Sequence, residues 1–526
     1  MDIFDFWGDN TKDPRDSQLI ALDWIEKTIQ DPKIKYLFLE VPVGGGKSKI
    51  GLTLSNLLNK NNPDHTVILT PQKILQKQYE SEFNITPLVS LYGRQNYKCE
   101  KGTNCDIGAS FGKKCKECPY DMQRARAMGA FQSVMNYDLY LSLREYSEEY
   151  QPTKHSLIVC DESHRLESFL TEFNSFEMTT DKAHFYGLEI ENHKDVNEIK
   201  RYLRKHVYTN INNKLDDLEH EYTWIKNPTS ELTLQEGKIL TSYKLGKEDL
   251  LRIEDIVSTS NDDFDLMYTV VTTEKGFKIK NTFGMNNFYK LVDPYTSKIL
   301  FMSSTILDYE STCIEMGIDP SRAAFLSLTS EFKRQKRPNI YRPTANMNAK
   351  WKTNTVGLTK MIAEIEHILT DHKNQNGIIH TCNYEIAKWL VDELRFNDTH
   401  EIYHHNDGNR DQVIERFITD HHKNKLLISP SITEGLDLKD DLSRFAIFAK
   451  IPYPYLGDEW IKKRAEIDQQ WYYRQTVTNI IQGSGRIVRH KEDYGVTYIL
   501  DTCWEQLYDN ARHLFPTWWS DALIYD

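Results

Sequence analysis

The sequence predicts an α/β protein with two parallel sheets. Two observations lead there. Short apolar runs alternate with stretches of helical periodicity from about residue 15 to 165, and again from about 340 to 505. A Gly-rich turn also joins the first apolar run to the first long periodic stretch, the layout of a strand–loop–helix unit in a parallel sheet.

The elements follow in order. Residues 15–30 (RDSQLIALDWIEKTIQ) read as a helix. Tyr36 to Val41 is a buried strand, followed by the glycines and a second helix. Val67 to Pro71 is the next strand, and ILQKQYESEF the helix after it. From about 90 to 130 the rhythm breaks, in a stretch holding four cysteines and much Lys, Arg and Gly. Ser156 to Cys160 is again a buried strand, ending in Asp161-Glu162-Ser163-His164. Residues from about 170 to 295 are polar and mostly helix-like, closing with a hairpin-like stretch from Tyr268 to Lys280. Strand texture returns at Lys298 to Met302, before Ser303-Ser304-Thr305-Ile306. The second alternating region places strands at 377–381, 425–429, 444–449 and 496–500, with helices between.

Composition bounds the function. A chain of 526 residues exceeds the roughly 250–300 at which one core stops growing, so several folding units are expected. Hydrophobic residues at 39% exclude disorder throughout. No apolar run reaches the length of a membrane helix, and the acidic start MDIFDFWGDNTKDPRD lacks the layout of a secretory signal. A net charge of −12 argues against coating nucleic acid with the whole surface. It leaves room for a local basic groove. Residues 94–126 carry eight Lys/Arg against four Asp/Glu, a positive excess that could meet a strand backbone.

Three motifs carry chemistry. Val41-Pro42-Val43-Gly44-Gly45-Gly46-Lys47-Ser48 points backbone N–H groups of Gly44, Gly45 and Gly46 at phosphate oxygens, at a helix N-terminus. Lys47 can reach the β- and γ-phosphates, and Ser48 can ligate Mg²⁺. The general P-loop pattern has Gly where this chain has Val41. Asp161-Glu162 ends a buried strand; Asp161 is assigned to the metal and Glu162 to the attacking water. Gln482-Gly-Ser-Gly-Arg-Ile-Val-Arg489 places Arg486 and Arg489 at i and i+3, which predicts one helical face presenting guanidinium groups to a triphosphate. Gly483 and Gly485 allow close packing to a facing domain.

The cysteines Cys99, Cys105, Cys115 and Cys118 have the spacing C-x5-C-x9-C-x2-C. Four thiolates can hold a [4Fe–4S] cluster or Zn²⁺, and a single CxxC pair is common at zinc sites. Tyr92, Tyr97, Tyr120 and Tyr137 read as core, with base stacking as the alternative. His404-His405 and His421-His422 lack ligand spacing. Trp518-Trp519 read as packing for the last helix.

DESH, SST, EGLD and QGSGRIVR follow GGGKS in that order. The chain resembles a superfamily 2 helicase, and more narrowly the iron–sulfur helicases of the XPD/DinG group, nearest to DinG. Tyr92-Gly-Arg-Gln-Asn-Tyr-Lys-Cys99, Cys118-Pro-Tyr120 and the stretch from Ala125 to VMNYDLYL carry the narrower likeness. The resemblance implies two RecA-like parallel-sheet motor domains, with a small iron–sulfur insertion and a mostly helical arch-like insertion in the first. The expected boundaries are 1–90, 131–168 and 296–335 for the first motor domain and 91–130 for the cluster domain. The arch takes 169–295 and the second motor domain 336–526. It further implies that Arg15 and Gln18 sit near the adenine. His164, Ser303 and Thr305 would couple hydrolysis to strand binding. Glu434, Gly435 and Asp437 would sense the nucleotide. Gln482, Arg486 and Arg489 would complete the site, and a [4Fe–4S] cluster would occupy the four cysteines. Ser163 and Ser304 stand where the group more often has Ala.

The expected activity is an ATP- and Mg²⁺-dependent DNA helicase or translocase on single-stranded and forked DNA, with 5′→3′ polarity inherited from the resemblance. The alternative is a strand-stimulated ATPase that remodels R-loops or protein–DNA complexes without processive unwinding. A non-catalytic module is disfavoured by the intact motifs, and no span is long enough for a fused nuclease of usual size. A cytoplasmic protein of a bacterium or a phage-infected host is expected, with no membrane partner.

Overall fold

The computed structural model describes residues 3–7, 13–61, 65–82, 88–99, 105, 117–147, 154–190, 196–226, 233–394, 398–406, 408–422, 424–430, 438 and 440–526. Strands β1 (Tyr36–Glu40), β2 (Thr66–Thr70), β3 (Leu88–Ser90), β4 (Gln132–Asn136) and β5 (His155–Asp161) open a first sheet. The chain then leaves it and forms β6 (Phe176–Thr179), β7 (Tyr268–Thr273) and β8 (Gly276–Asn281) within a largely helical unit. It returns to the first sheet with β9 (Thr296–Ser303) and β10 (Ala323–Ser327). The order across that sheet is β10-β1-β9-β5-β2-β4-β3, with every neighbouring pair parallel.

A second all-parallel sheet follows. It contains β11 (Asn339–Ala345), β12 (Gly377–His380), β13 (Glu401–His404), β14 (Lys425–Ser429), β15 (Phe445–Phe448), β16 (Val496–Asp501) and β17 (Leu523–Tyr525). Its order is β13-β14-β12-β15-β16-β11-β17.

The apolar strands are continuous because both faces are covered. Tyr36 and Phe38 of β1 enter one core layer, and Leu37 and Leu39 the other. Ile158 and Cys160 of β5 split from Leu157 and Val159 in the same way. Register matters for function. Glu40 pairs level with Ser303, and Asp161 with Met302, so β1, β5 and β9 end together at one edge. Ligands of parallel α/β sheets bind outside such carboxyl ends.

The inserted unit has its own core, with Phe176, Met178, Tyr202, Ile253 and Phe277 among its buried residues. Its helix Leu234–Ser258 starts at a capping box. The Thr233 hydroxyl accepts from the Glu236 N–H, and the Glu236 carboxylate accepts from the Thr233 N–H. The hairpin expected at 268–280 is present as β7 and β8, and β6 pairs antiparallel with β8 as an unforeseen third strand.

The second domain docks on this unit and on the first domain together. Trp460 Nε1 donates to the Asn281 carbonyl at 2.8 Å, and Glu459 Oε2 accepts from the Thr272 N–H at 2.6 Å. Beside them lies a buried charge cluster. Arg464 reaches Glu167 at 2.7 Å and Glu315 at 3.3 Å, and Arg474 also donates to Glu315. Trp471 Nε1 donates to the other Glu167 oxygen at 3.1 Å.

Trp518 and Trp519 pack with Trp504 in the second domain's core. His405 is buried against the Ser429 hydroxyl, 2.7 Å away. Tyr120 and Tyr137 are core residues. Among the described residues no helix is long and apolar enough to cross a membrane.

Candidate nucleotide site between the two domains

The phosphate loop runs from Val41 to Ser48, between β1 and the helix Lys47–Asn61. Val41 prolongs the strand. It is fully buried, and its N–H donates to the Ser303 carbonyl at 2.9 Å. The Gly45 N–H closes the turn onto the Pro42 carbonyl at 2.9 Å. Gly44 and Gly46 adopt φ of +77° and +79°, the left-handed region that costs glycine least. Space excludes a side chain there as well. A Cβ on Gly44 would lie 2.5 Å from the Arg489 carbonyl oxygen, and one on Gly46 would strike the Gln18 amide. The loop is thus held between the first helix and the second domain. Arg15 Nη1 donates to the Gly44 carbonyl at 2.6 Å, and the Arg15 N–H donates to Gln18 Oε1 at 2.9 Å.

Two carboxylates at the end of β5 face this loop. Lys47 Nζ lies 2.7 Å from Glu162 Oε1. Ser48 Oγ donates to Asp161 Oδ2 at 3.4 Å, and the Tyr79 hydroxyl donates to the same oxygen at 2.8 Å. The Tyr137 hydroxyl holds the Asp161 carbonyl at 2.9 Å. Glu162 itself has φ of +50°, an uncommon conformation for a residue with a side chain. Burial, then the Glu162 charge, pushes the Asp161 carboxyl above its ordinary range. Burial acts on Glu162 in the same sense, but Lys47, His164 and Arg489 outweigh it and hold that carboxyl down at about 2.

From Glu162 a polar path crosses to the second domain. His164 Nδ1 lies 3.4 Å from Glu162 Oε2 and 2.8 Å from Ser303 Oγ. Ser303 Oγ accepts from the Thr305 N–H at 3.0 Å. Gln482 Nε2 donates to Ser304 Oγ at 2.9 Å and to Thr305 Oγ1 at 3.1 Å.

The helical face expected for the two arginines is corrected. Gln482 lies on the helix Gln469–Ser484, which ends before Arg486. The chain turns at Gly485, where a Cβ would stand 2.7 Å from Val43 Cγ2. Close approach of the phosphate loop therefore requires glycine at the helix end, and beyond it the arginines diverge. Arg489 acts on Glu162. Arg486 is buried and acts with burial on His380, which is held down at about 3. Gly483 packs under Phe448 of its own domain, so only Gly485 meets the facing one.

Three of the four clustered cysteines are described. Cys99 and Cys105 are buried, and the Sγ atoms of Cys105 and Cys118 lie 3.5 Å apart. Cys118 stands at the N-cap of the helix Pro119–Gly129. Without a metal, burial and then Cys118 push the Cys105 thiol up to about 12. The close Cys105–Cys118 pair is a soft donor set that fits a thiophilic metal or cluster. Cys115 lies outside the described residues, as do Glu434, Gly435 and Asp437. Tyr79, Glu40 and the Arg464 cluster were not foreseen, as no local motif marks them; Tyr137 reads as core in the sequence, and its hydrogen bond to the Asp161 carbonyl is added by the structure.

Two parallel sheets, a phosphate loop and a wall supplied by the second sheet define the RecA-like architecture of helicase motor domains. Comparison with known proteins agrees. Residues 11–204 match the family of type III restriction enzyme res subunits, and residues 366–522 match the helicase C-terminal domain. Escherichia coli YoaA, an ATP-dependent DNA helicase, is 21% identical over 228 residues, which is 41% of this chain and 35% of YoaA. The Caenorhabditis elegans homolog of regulator of telomere elongation helicase 1 is 31% identical over 104 residues, 16% of this chain and 10% of that protein. The chain therefore spans a small part of these relatives' length. A solved XPD helicase superposes with a TM-score of 0.62 at 16% identity, covering 98% of this chain and 100% of that one. S. tokodaii Xpd4 gives 0.56 at 13%, covering 97% and 100%. The family matches are to helicase motor domains over parts of the chain, and the fold over nearly its whole length is similar to that of XPD-type helicases.

Proposed function

We propose that this chain is an ATP-dependent helicase and translocase on single-stranded and forked DNA. One observation carries the reading: the continuous path Lys47–Glu162–His164–Ser303–Thr305–Gln482, which joins the phosphate loop to the opposite domain. Such a path makes nucleotide state and domain closure one variable.

In the resting site Lys47 is paired with Glu162. Incoming phosphate oxygens compete for Lys47 and for the N–H groups of Gly44 to Ser48. Release of Glu162 then frees an ionised carboxylate to orient the attacking water. Ser48 and Asp161 would hold Mg²⁺, which supplies charge neutralisation on the phosphates when bound. Gln482, Arg486 and Arg489 close the site from the second domain. Alternating affinity of the open and closed states for a strand gives stepping. The 5′→3′ direction rests on the resemblance to the XPD/DinG group.

Phosphate release with and without single-stranded DNA, beside strand displacement on forked, 5′-tailed, 3′-tailed and R-loop substrates, tests the proposal. Stimulated turnover with displacement from 5′-tailed forks is expected. Stimulation with R-loop disruption alone makes the chain a remodeller. No stimulation by any strand overturns the motor reading.

Tyr79→Phe removes one donor to Asp161 and keeps the buried ring. Mg²⁺-dependent nucleotide binding is expected to weaken about 10–150-fold, the worth of one hydrogen bond to a charged group. Nucleotide titrations with and without Mg²⁺ check this, and an equal loss in both would assign Tyr79 to packing alone.

Cys99, Cys105, Cys115 and Cys118 are proposed to hold a [4Fe–4S] cluster, which would crosslink the segment they lie in. Cys105→Ser is expected to remove brown colour and bound iron from an anaerobic preparation, and to impair unwinding more than ATP binding. A colourless wild type with stoichiometric zinc would refute the assignment.

A further inference from the structure

Leu307 has φ of +61°. Most other non-glycine residues in that region are asparagine or aspartate, which tolerate it through their short polar side chains. Glu162 is explained by the site. A bulky aliphatic residue there is a genuine outlier that the surroundings must enforce.

The enforcing group is Glu40. Its carboxylate accepts from the Leu307 N–H and from the Ser327 hydroxyl, each at 2.7 Å. Glu40 is 2% exposed, and no cation contacts it among the described residues. A buried carboxylate held by neutral donors alone is costly. Two unfavourable features therefore meet in one hydrogen bond. Glu40 is also the last residue of β1, and the phosphate loop begins at the next residue.

Leu307 belongs to the first domain but packs against the core of the second, which includes Tyr473, Val477 and Ile481 of the helix Gln469–Ser484. On one side of it in sequence, Ser304 and Thr305 accept from Gln482. On the other, Asp308 lies 3.9 Å from Arg474. Both partners belong to that same helix. The loop grips the helix at two polar points, and Leu307, between them in sequence, packs against the core the helix shares.

We propose that Leu307, fixed in its left-handed conformation by Glu40, is the positioning residue that passes movement of the phosphate loop to the second domain. This rests on the motor reading above. The loop and Leu307 move as one body because a single side chain ties both. The helix follows because Leu307 packs against the core to which that helix contributes.

The test is the distance between fluorophores placed as unnatural amino acids at Ile74 and Val356, which are 61% and 69% exposed in the first and second domains. It is read with and without ADP–beryllofluoride. In the otherwise unaltered chain the analogue is expected to change the separation. Leu307→Gly should abolish at least half of that change while nucleotide affinity stays within about threefold. Leu307→Met should retain the change. If Leu307→Gly misfolds, Leu307→Asn tolerates the same backbone and removes the apolar contact, with the same expectation. A full change in the Gly or Asn variant, or none in the unaltered chain, overturns the proposal. Strand-stimulated ATPase is measured in parallel. A nucleotide-driven change without stimulation keeps Leu307's role and sinks the motor reading instead.

Discussion

Lys47→Ala is expected to lower phosphate release by about 100–1,000-fold or more, the scale of losing a preorganised charge at a reacting phosphate. Strand binding should change little, because Lys47 faces the nucleotide cleft. The structure adds a second consequence. Lys47 is the main attraction holding the Glu162 carboxyl at about 2. A folded-state pKa below the ordinary glutamate value stabilises the fold above that value, and the contribution is lost as pH falls toward 2. The variant lacks this contribution and leaves Glu162 beside Asp161 with less compensation. Its melting temperature at neutral pH should therefore fall, and the gap from wild type should narrow on acidification. Steady-state phosphate release and melting curves over a pH series check both parts. Near-normal turnover would remove Lys47 from the phosphate site.

Arg464→Met should produce the largest loss of stability. Its guanidinium is almost wholly buried between Glu167 and Glu315. Removing one partner from a buried charge network costs about 3–5 kcal/mol, because the remaining charges stay behind uncompensated. Denaturant unfolding measures this. Arg464→Met combined with Glu167→Gln should recover at least about 1 kcal/mol, since residues in one network are not additive. The pH dependence has a definite sign. Burial, then Glu167, pushes Glu315 up to about 8, against Arg474 and Arg464. A raised carboxyl stabilises the fold below its ordinary pKa, and the contribution is lost as pH rises through 8. Loss of Arg464 raises Glu315 further, so the variant's deficit should be greatest above pH 8 and shrink toward pH 6. A deficit constant over that range would mean that packing, not charge, holds the seam.

What could be read from residues alone follows from burial. β1, β2, β5, β9 and β14 are covered on both faces, so each stands out as an apolar run. β10, β13 and β17 lie at or beside sheet edges and are partly exposed, and their segments carry no such run. β11 contains Pro343 and Arg342 and reads as a loop until its partners are known. The site divides in the same way. Lys47, Ser48, Asp161 and Glu162 belong to contiguous motifs whose chemistry is local. Tyr79 reaches Asp161, and Arg464 reaches Glu167, only because distant segments meet, and nothing near either residue announces the pairing. The arginine spacing misled because i, i+3 describes a helix only while the helix lasts. It stops at Ser484, and the glycine that follows lies against Val43 of the other domain.

The position of β9 has a consequence for how the chain comes off the ribosome. It lies between β1 and β5, so the first sheet lacks a central strand until the entire insertion has emerged. At about 5–20 residues per second the gap lasts roughly 7–27 s. Throughout it, β1 and β5 present bare edges able to pair with other nascent chains. Slowing translation across the insertion, or shortening it, should change the yield of soluble protein far more than the same change made after β10.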